Sequence, residues 1–288
     1  MEPELIADYA CVTGEGPLWH PDEGRLYWLD IPPGKLFRYD PQTGQHEQCY
    51  QADEAIGGFT IQEDGALVLF GARGAISLWR EGETTPIIPE IAAEADGRFN
   101  DVIAAPGGRV FCGTMPTDAH DGRLYRLDPD GTLTTLLEGV TVSNGLGFTP
   151  DRRGLYHTDT SKGTITRFDF DEATGAISNG RPFLDLNGDR SEGMPDGMTV
   201  DADGCVWSAR WDGGVLIRYA PDGRELQRVH FPARKVSSAV FGGTDYRDLY
   251  VTTAGGNDKA SNGPGAGALF RLRPDVGGVP EFRSRIAI

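Results

Sequence analysis

The stretch Gly14-Glu15-Gly16-Pro17-Leu18-Trp19-His20, followed by a Pro-Asp-Glu-Gly turn and Arg25-Leu26-Tyr27-Trp28-Leu29-Asp30, decides the fold. It continues through a Pro-Pro-Gly turn into Lys35 to Asp40, then through a Pro-Gln-Thr-Gly turn into Gln45 to Gln51. Short runs rich in Leu, Tyr, Trp and Phe, bounded by Gly, Pro and Asp, are strands joined by hairpins. Four such strands in a row predict one antiparallel blade.

The second strand of this unit returns along the chain. Leu26-Tyr27-Trp28-Leu29 is matched by phrases starting at Leu67, Val110, Leu155, Val206 and Leu249, roughly 40–50 residues apart. Third strands repeat as well, in Leu36-Phe37-Arg38-Tyr39-Asp40, Ile76-Ser77-Leu78-Trp79-Arg80, Leu124-Tyr125-Arg126-Leu127-Asp128, Ile165-Thr166-Arg167-Phe168-Asp169, Leu216-Ile217-Arg218-Tyr219 and Leu269-Phe270-Arg271-Leu272. Six units at this period predict an all-β, six-bladed β-propeller with four antiparallel strands per blade, filling residues 1–288 as a single domain. The 40 glycines and 19 prolines fall between strands, where turns need them. Pro89 to Ala95 is the one place where a helical turn or two is expected before Asp96-Gly97 stops it. A ring must close, and either Glu4 to Val12 or the tail Val279 to Ile288 supplies the outermost strand of the last blade.

Composition narrows the function. A formal net charge of −16, from 43 acidic and 27 basic residues, argues against nucleic acid or an anionic membrane as partner. The start Met1-Glu2-Pro3-Glu4 is acidic where a secretory signal is basic, and no run reaches the ~18 apolar residues of a membrane span, so a cytoplasmic location is the expectation. Cys11, Cys49, Cys112 and Cys205 lie far apart without a Cys-x-x-Cys pair and are expected to be free thiols.

Candidate functional residues come from register. Glu15, Asn100, Asn144 and Asp196 each stand 10 or 11 residues before a second-strand start, whereas the equivalent entries of the second and sixth units carry Ile56-Gly57 and Ser237-Ser238. Equivalent positions of a closed ring converge on its axis, so two carboxylates and two amides are expected to meet at one channel mouth. Asn144-Gly145 and Asp196-Gly197 also fit ordinary turn pairs. Asp196, however, precedes the first strand of its unit, unlike Asp222-Gly223, which lies in a hairpin between the third and fourth. Oxygen donors of this kind suit a divalent cation: Ca²⁺, Mg²⁺ or Mn²⁺ by donor hardness, with Zn²⁺ or Fe²⁺ compatible with an open site. The five histidines show no His-Glu-x-x-His or His-x-His spacing, and no Gly-x-Ser-x-Gly elbow marks a serine nucleophile.

Taken in order, Gly14-Glu15-Gly16-Pro17-Leu18-Trp19, Arg98-Phe99-Asn100-Asp101, Gly113-Thr114-Met115, Ser143-Asn144-Gly145-Leu146 and Pro195-Asp196-Gly197-Met198 resemble the senescence-marker/regucalcin and gluconolactonase family of six-bladed propellers. The resemblance implies one divalent metal held by Glu15, Asn144 and Asp196, with Asn100 beside it. It further implies substrate contacts from Arg98, Asn100 and Asp118. Asp118 stands where the family often places a longer Glu. The implied reaction is hydrolysis of a sugar aldonolactone, with Asp196 as general base. Rival readings are a calcium-binding regulatory protein of regucalcin type, which needs only the cation site, and a phosphotriesterase-like or strictosidine-synthase-like propeller. The loops Thr117 to Asp121 and Gly255 to Gly265 are expected to shape the pocket.

Overall fold

The computed structural model describes residues 1–287, which form six four-stranded antiparallel sheets set around a channel. The first strands, Gly14–His20, Ile56–Ile61, Phe99–Ala104, Ser143–Phe148, Met194–Val200 and Lys235–Gly242, are the innermost of their blades. Alternating side chains of successive blades interleave to make the core. Trp28, Phe37, Tyr250 and Leu269 fill the space between blades six and one, and Phe111, Phe148, Leu155 and Phe170 that between three and four. Burial of this apolar surface at roughly 25 cal/mol per Å² drives the assembly.

Closure falls to the N-terminus. Glu4–Asp8 pairs with Ala268–Leu272 as the outermost strand of blade six, and Arg271 donates to Glu4 at 2.7 Å. First and last strands of the chain thus share one sheet, so unrolling the ring requires breaking it.

The C-terminal tail has a different place. It crosses the channel end at which first strands turn into second strands, and it touches all six blades. Gly277 accepts from Ala202 (2.9 Å), the Gly278 amide donates to Tyr246 (2.8 Å), and Arg283 pairs with Asp22 (2.6 Å). The Ser284 amide donates to Ile61 (2.9 Å), the Arg285 amide donates to Gly108 (2.8 Å), and Phe282 packs edge-on against Phe148. Ile288, the last residue of the expected tail segment, lies outside the described residues.

The helical turn expected at Pro89 to Ala95 is one 3₁₀ turn, Ala92–Glu94, and a second such turn, Ala260–Asn262, sits in the Gly255 to Gly265 loop. All four cysteines are free, three of them buried. No helix among the described residues is long and apolar enough to cross a membrane.

Candidate active site

Each predicted ring residue lies inside a first strand rather than ahead of it, at a β-bulge. The register shifts between Glu15 and Leu18, Phe99 and Val102, Asn144 and Leu146, and Pro195 and Met198. A bulge inserts a residue and re-aims its side chain. Here it turns Glu15, Asn100, Asn144 and Asp196 toward the channel at the mouth opposite the tail.

The four side chains are buried, and three of them, Asn100, Asn144 and Asp196, are joined by hydrogen bonds. Asn100 Nδ2 donates to Asn144 Oδ1 (3.1 Å) and to the Ser143 carbonyl (2.9 Å), and Asn144 Nδ2 donates to Thr160 Oγ1 (3.1 Å) and to Asp196 Oδ1. Arg98 Nη1 donates to Asn100 Oδ1 (2.7 Å) and to the Phe99 carbonyl (2.8 Å). A directed chain of donors therefore runs from a guanidinium on blade three to a carboxylate on blade five. Glu15 comes from blade one, where its Oε2 accepts from the Gly16 amide (2.9 Å), and its charge is felt by Asp196.

Burial and mutual repulsion set the electrostatics of the ring. Burial, then repulsion from Asp101, raises the Glu15 carboxyl to about 8. Burial, then repulsion from Glu15 and Asp101, raises Asp196 well above the ordinary carboxylate range. Burial lowers Arg98 to about 10, which leaves it charged at neutral pH. Two desolvated carboxylates that repel each other beside two amide oxygens form a donor set that a hard divalent cation neutralises. The residues present fit such an ion, although no cluster of three or more His, Cys, Asp or Glu side chains occurs among the described residues. The set mixes acids with amides, and Glu15, Asn144 and Asp196 could hold such a cation.

Asp118 is placed differently. It is exposed on the loop between Val110–Thr114 and Gly122–Leu127, and no hydrogen bond among the described residues links it to the ring. Both loops expected to shape the pocket do lie at this mouth, because each joins a second strand to a third.

Three groups escaped the sequence reading. Asp30 accepts from the amides of Val12 (3.1 Å) and Thr13 (2.9 Å), and Asp159 accepts from those of Thr141 (3.1 Å) and Val142 (3.3 Å). Each Asp thus pins the segment that delivers a ring residue, Glu15 or Asn144. The signal was present: both acids end the recurrent second-strand phrase, as Leu-Tyr-Trp-Leu-Asp and Leu-Tyr-His-Thr-Asp. The third group is Asp101, at the bulge position where Gly16, Gly145 and Gly197 stand in other blades. It faces a cavity of about 60 Å³ between the ring and the tail, lined also by Thr60, Ser238, Glu281 and Phe282. Burial raises Asp101 to about 7, and burial plus repulsion from Asp101 raises Glu281 to about 7.

A closed six-bladed propeller carrying an oxygen-rich ring at one mouth and a strap across the other is the class that these features define. The chain belongs to the SMP-30/Gluconolactonase/LRE-like family, whose model matches residues 13–255. It is 50% identical to pentonolactonase XacC of Haloferax volcanii, over 98% of each chain. It is 36% identical to the 6-deoxy-6-sulfogluconolactonase of Pseudomonas putida, over 96% of this chain and 97% of that one. Among solved structures, a calcium-binding protein, regucalcin, from Agrobacterium tumefaciens superposes with a TM-score of 0.89 at 26% identity, covering 99% of this chain and 97% of that one. The resemblance read from the motifs and the propeller read from the period are both borne out.

Proposed function

We propose that the protein is a sugar lactonase that hydrolyses a five- or six-carbon aldonolactone, of the xylono-, arabinono- or gluconolactone type, to its open aldonic acid. The observation that carries this reading is the hydrogen-bonded chain Arg98–Asn100–Asn144–Asp196, with the Glu15 carboxyl near enough to repel Asp196. The relatives named for pentonolactonase and sulfogluconolactonase activities support the substrate class.

Glu15, Asn144 and Asp196 would hold one divalent cation, Ca, Zn, Mg, Mn or Fe, and that ion, when bound, supplies Lewis-acid polarisation of the lactone carbonyl. The remaining work falls to the chain. Arg98, charged and desolvated, donates to sugar hydroxyls and holds Asn100 in the orientation seen here. Asp196 has one oxygen engaged by Asn144, which leaves Oδ2 free to take the proton of the attacking water. As the ring C–O bond breaks, the same proton passes to the departing ring oxygen, which becomes the new hydroxyl. The product acid then ionises, so turnover is read as acid release. Asp118, on the rim loop, is proposed to reach the substrate only at the far edge of the sugar.

The test is acid release from xylono-, arabinono-, galactono- and gluconolactone with added cations, after subtraction of spontaneous opening. A chelator and Asp196→Asn are each expected to abolish the enzymatic part. Full activity in chelated protein would refute the mechanism. Selective Ca²⁺ uptake without turnover on any lactone would favour the calcium-binding reading.

A further inference from the structure

Ring symmetry exposes a residue that neither the motifs nor the proposed mechanism uses. Aligned on their second strands, the six blades place Glu15, Gly57, Asn100, Asn144, Asp196 and Ser237 at the ring position. Two residues earlier stand Thr13, Ala55, Arg98, Val142, Met194 and Lys235. Only blades three and six carry a charge there, both cationic. In a ring of six those blades face each other, so Arg98 and Lys235 flank the mouth from opposite sides.

Lys235 is held as a functional side chain would be. It opens the first strand of blade six, and its side chain is 16% exposed. Nζ lies 2.5 Å from Asp212 Oδ1 and 4.6 Å from the centre of the Trp211 ring. Trp211 ends the second strand of blade five and Asp212 follows it, on the blade that supplies Asp196. Asp212 accepts one of three ammonium donors, which leaves two for another acceptor. The adjoining backbone is fixed, since Ser237 Oγ donates to the Gly14 carbonyl next to Glu15 (2.6 Å). A partly exposed indole face beside a cation is also a surface that suits the C–H face of a sugar ring.

We propose that Lys235 is a second substrate-anchoring, specificity-determining residue, which donates to hydroxyls at the edge of the lactone remote from Arg98 while Trp211 supports the sugar face. A polyhydroxylated lactone bridges the two cations, whereas an unsubstituted lactone engages neither. This assignment rests on the lactonase reading above.

The experiment compares wild type, Lys235→Met and Lys235→Arg on an aldonolactone and on unsubstituted δ-valerolactone, with Ca²⁺ affinity measured by calorimetry. Methionine keeps the stem over Trp211 and removes the donors. It is expected to raise KM for the aldonolactone about tenfold, leave kcat within about threefold, and leave δ-valerolactone turnover and Ca²⁺ affinity unchanged. Arginine is expected to restore KM to within about threefold. An unchanged KM, or an equal loss on both lactones, overturns the assignment. If wild type opens no lactone, the lactonase reading is what has failed. Calorimetric binding of the aldonate to Ca²⁺-loaded protein then decides the role of Lys235: tenfold weaker binding to Lys235→Met supports it, and equal binding overturns it.

Discussion

Metal-free protein should lose thermal stability as pH rises from 6.5 to 8, because Glu15 and Asp196 are buried acids without a neutralising cation. The sign follows from linkage. A carboxyl whose pKa is raised on folding keeps its proton in the native state after the unfolded chain has released it, so stability is fully present below the unfolded value and is lost up to the folded one. For Glu15 that window runs from its ordinary 4.5 to about 8. His157 works in the other direction, since burial lowers it to about 4 and it costs stability as pH falls from its ordinary 6.5. Above pH 6.5 it is largely neutral in both states and drops out. At about 1.4 kcal/mol per pH unit, the remaining span costs about 2 kcal/mol through Glu15, and Asp196, whose carboxyl burial also raises, acts in the same direction. Asp101 and Glu281, both near 7, act in the same direction with about 1 kcal/mol more. At roughly 2 °C per kcal/mol for a chain of this size, Glu15, Asp101 and Glu281 alone should lower Tm by about 6 °C. Differential scanning calorimetry in chelator reads this directly. Millimolar Ca²⁺ should remove most of the fall, and Asp196→Asn should reduce it and remove most of the Ca²⁺ response. A metal-free Tm that is flat or rises between pH 6.5 and 8 would refute the reasoning.

Arg98→Ala should raise KM for an aldonolactone about tenfold or more, with a smaller effect on kcat, because a half-buried charged donor is lost; steady-state acid release reads the split. Gly113→Ala should weaken Ca²⁺ binding measured by calorimetry, since the new Cβ would lie 2.0 Å from Ser143 Oγ and displace the residue before Asn144; unaltered affinity counts against strict positioning of Asn144. Deleting residues 279–288 removes buried Ser284 and Ile286 from the far mouth and should lower Tm by about 5–10 °C, given about 2 kcal/mol for the isoleucine alone plus the lost hydrogen bonds. A shift under about 2 °C in that melt would mean that the N-terminal strand closes the ring by itself.

The blade count was legible because a strand period is set locally. Leu26-Tyr27-Trp28-Leu29 and its repeats alternate against turn residues, and nothing distant can reverse that pattern. The ring of Glu15, Asn100, Asn144 and Asp196 was legible because register converts sequence distance into angular position around an axis. Closure was not, since both chain ends offer a short apolar-alternating segment. Glu4–Asp8 takes the sheet edge beside Ala268–Leu272, while Ser284 and Ile286 find buried places on the channel floor. Asp101 escaped because a carboxylate next to Asn100 reads as part of the same motif, and only the bulge sends the two side chains to different levels of the channel. Asp30 and Asp159 escaped because a clamp on backbone amides has no signature until the segments it joins are adjacent. The position of Asp118 depends on a loop, whose path no repeat dictates.

Anomalous diffraction from crystals soaked in Mn²⁺, or in Ca²⁺ collected at long wavelength, tests the central claim most directly. The account predicts one strong peak within about 2.5 Å of oxygens from Glu15, Asn144 and Asp196, lost in Asp196→Asn. No peak at that mouth at saturating cation, with the two carboxylates apart and facing water, would contradict it.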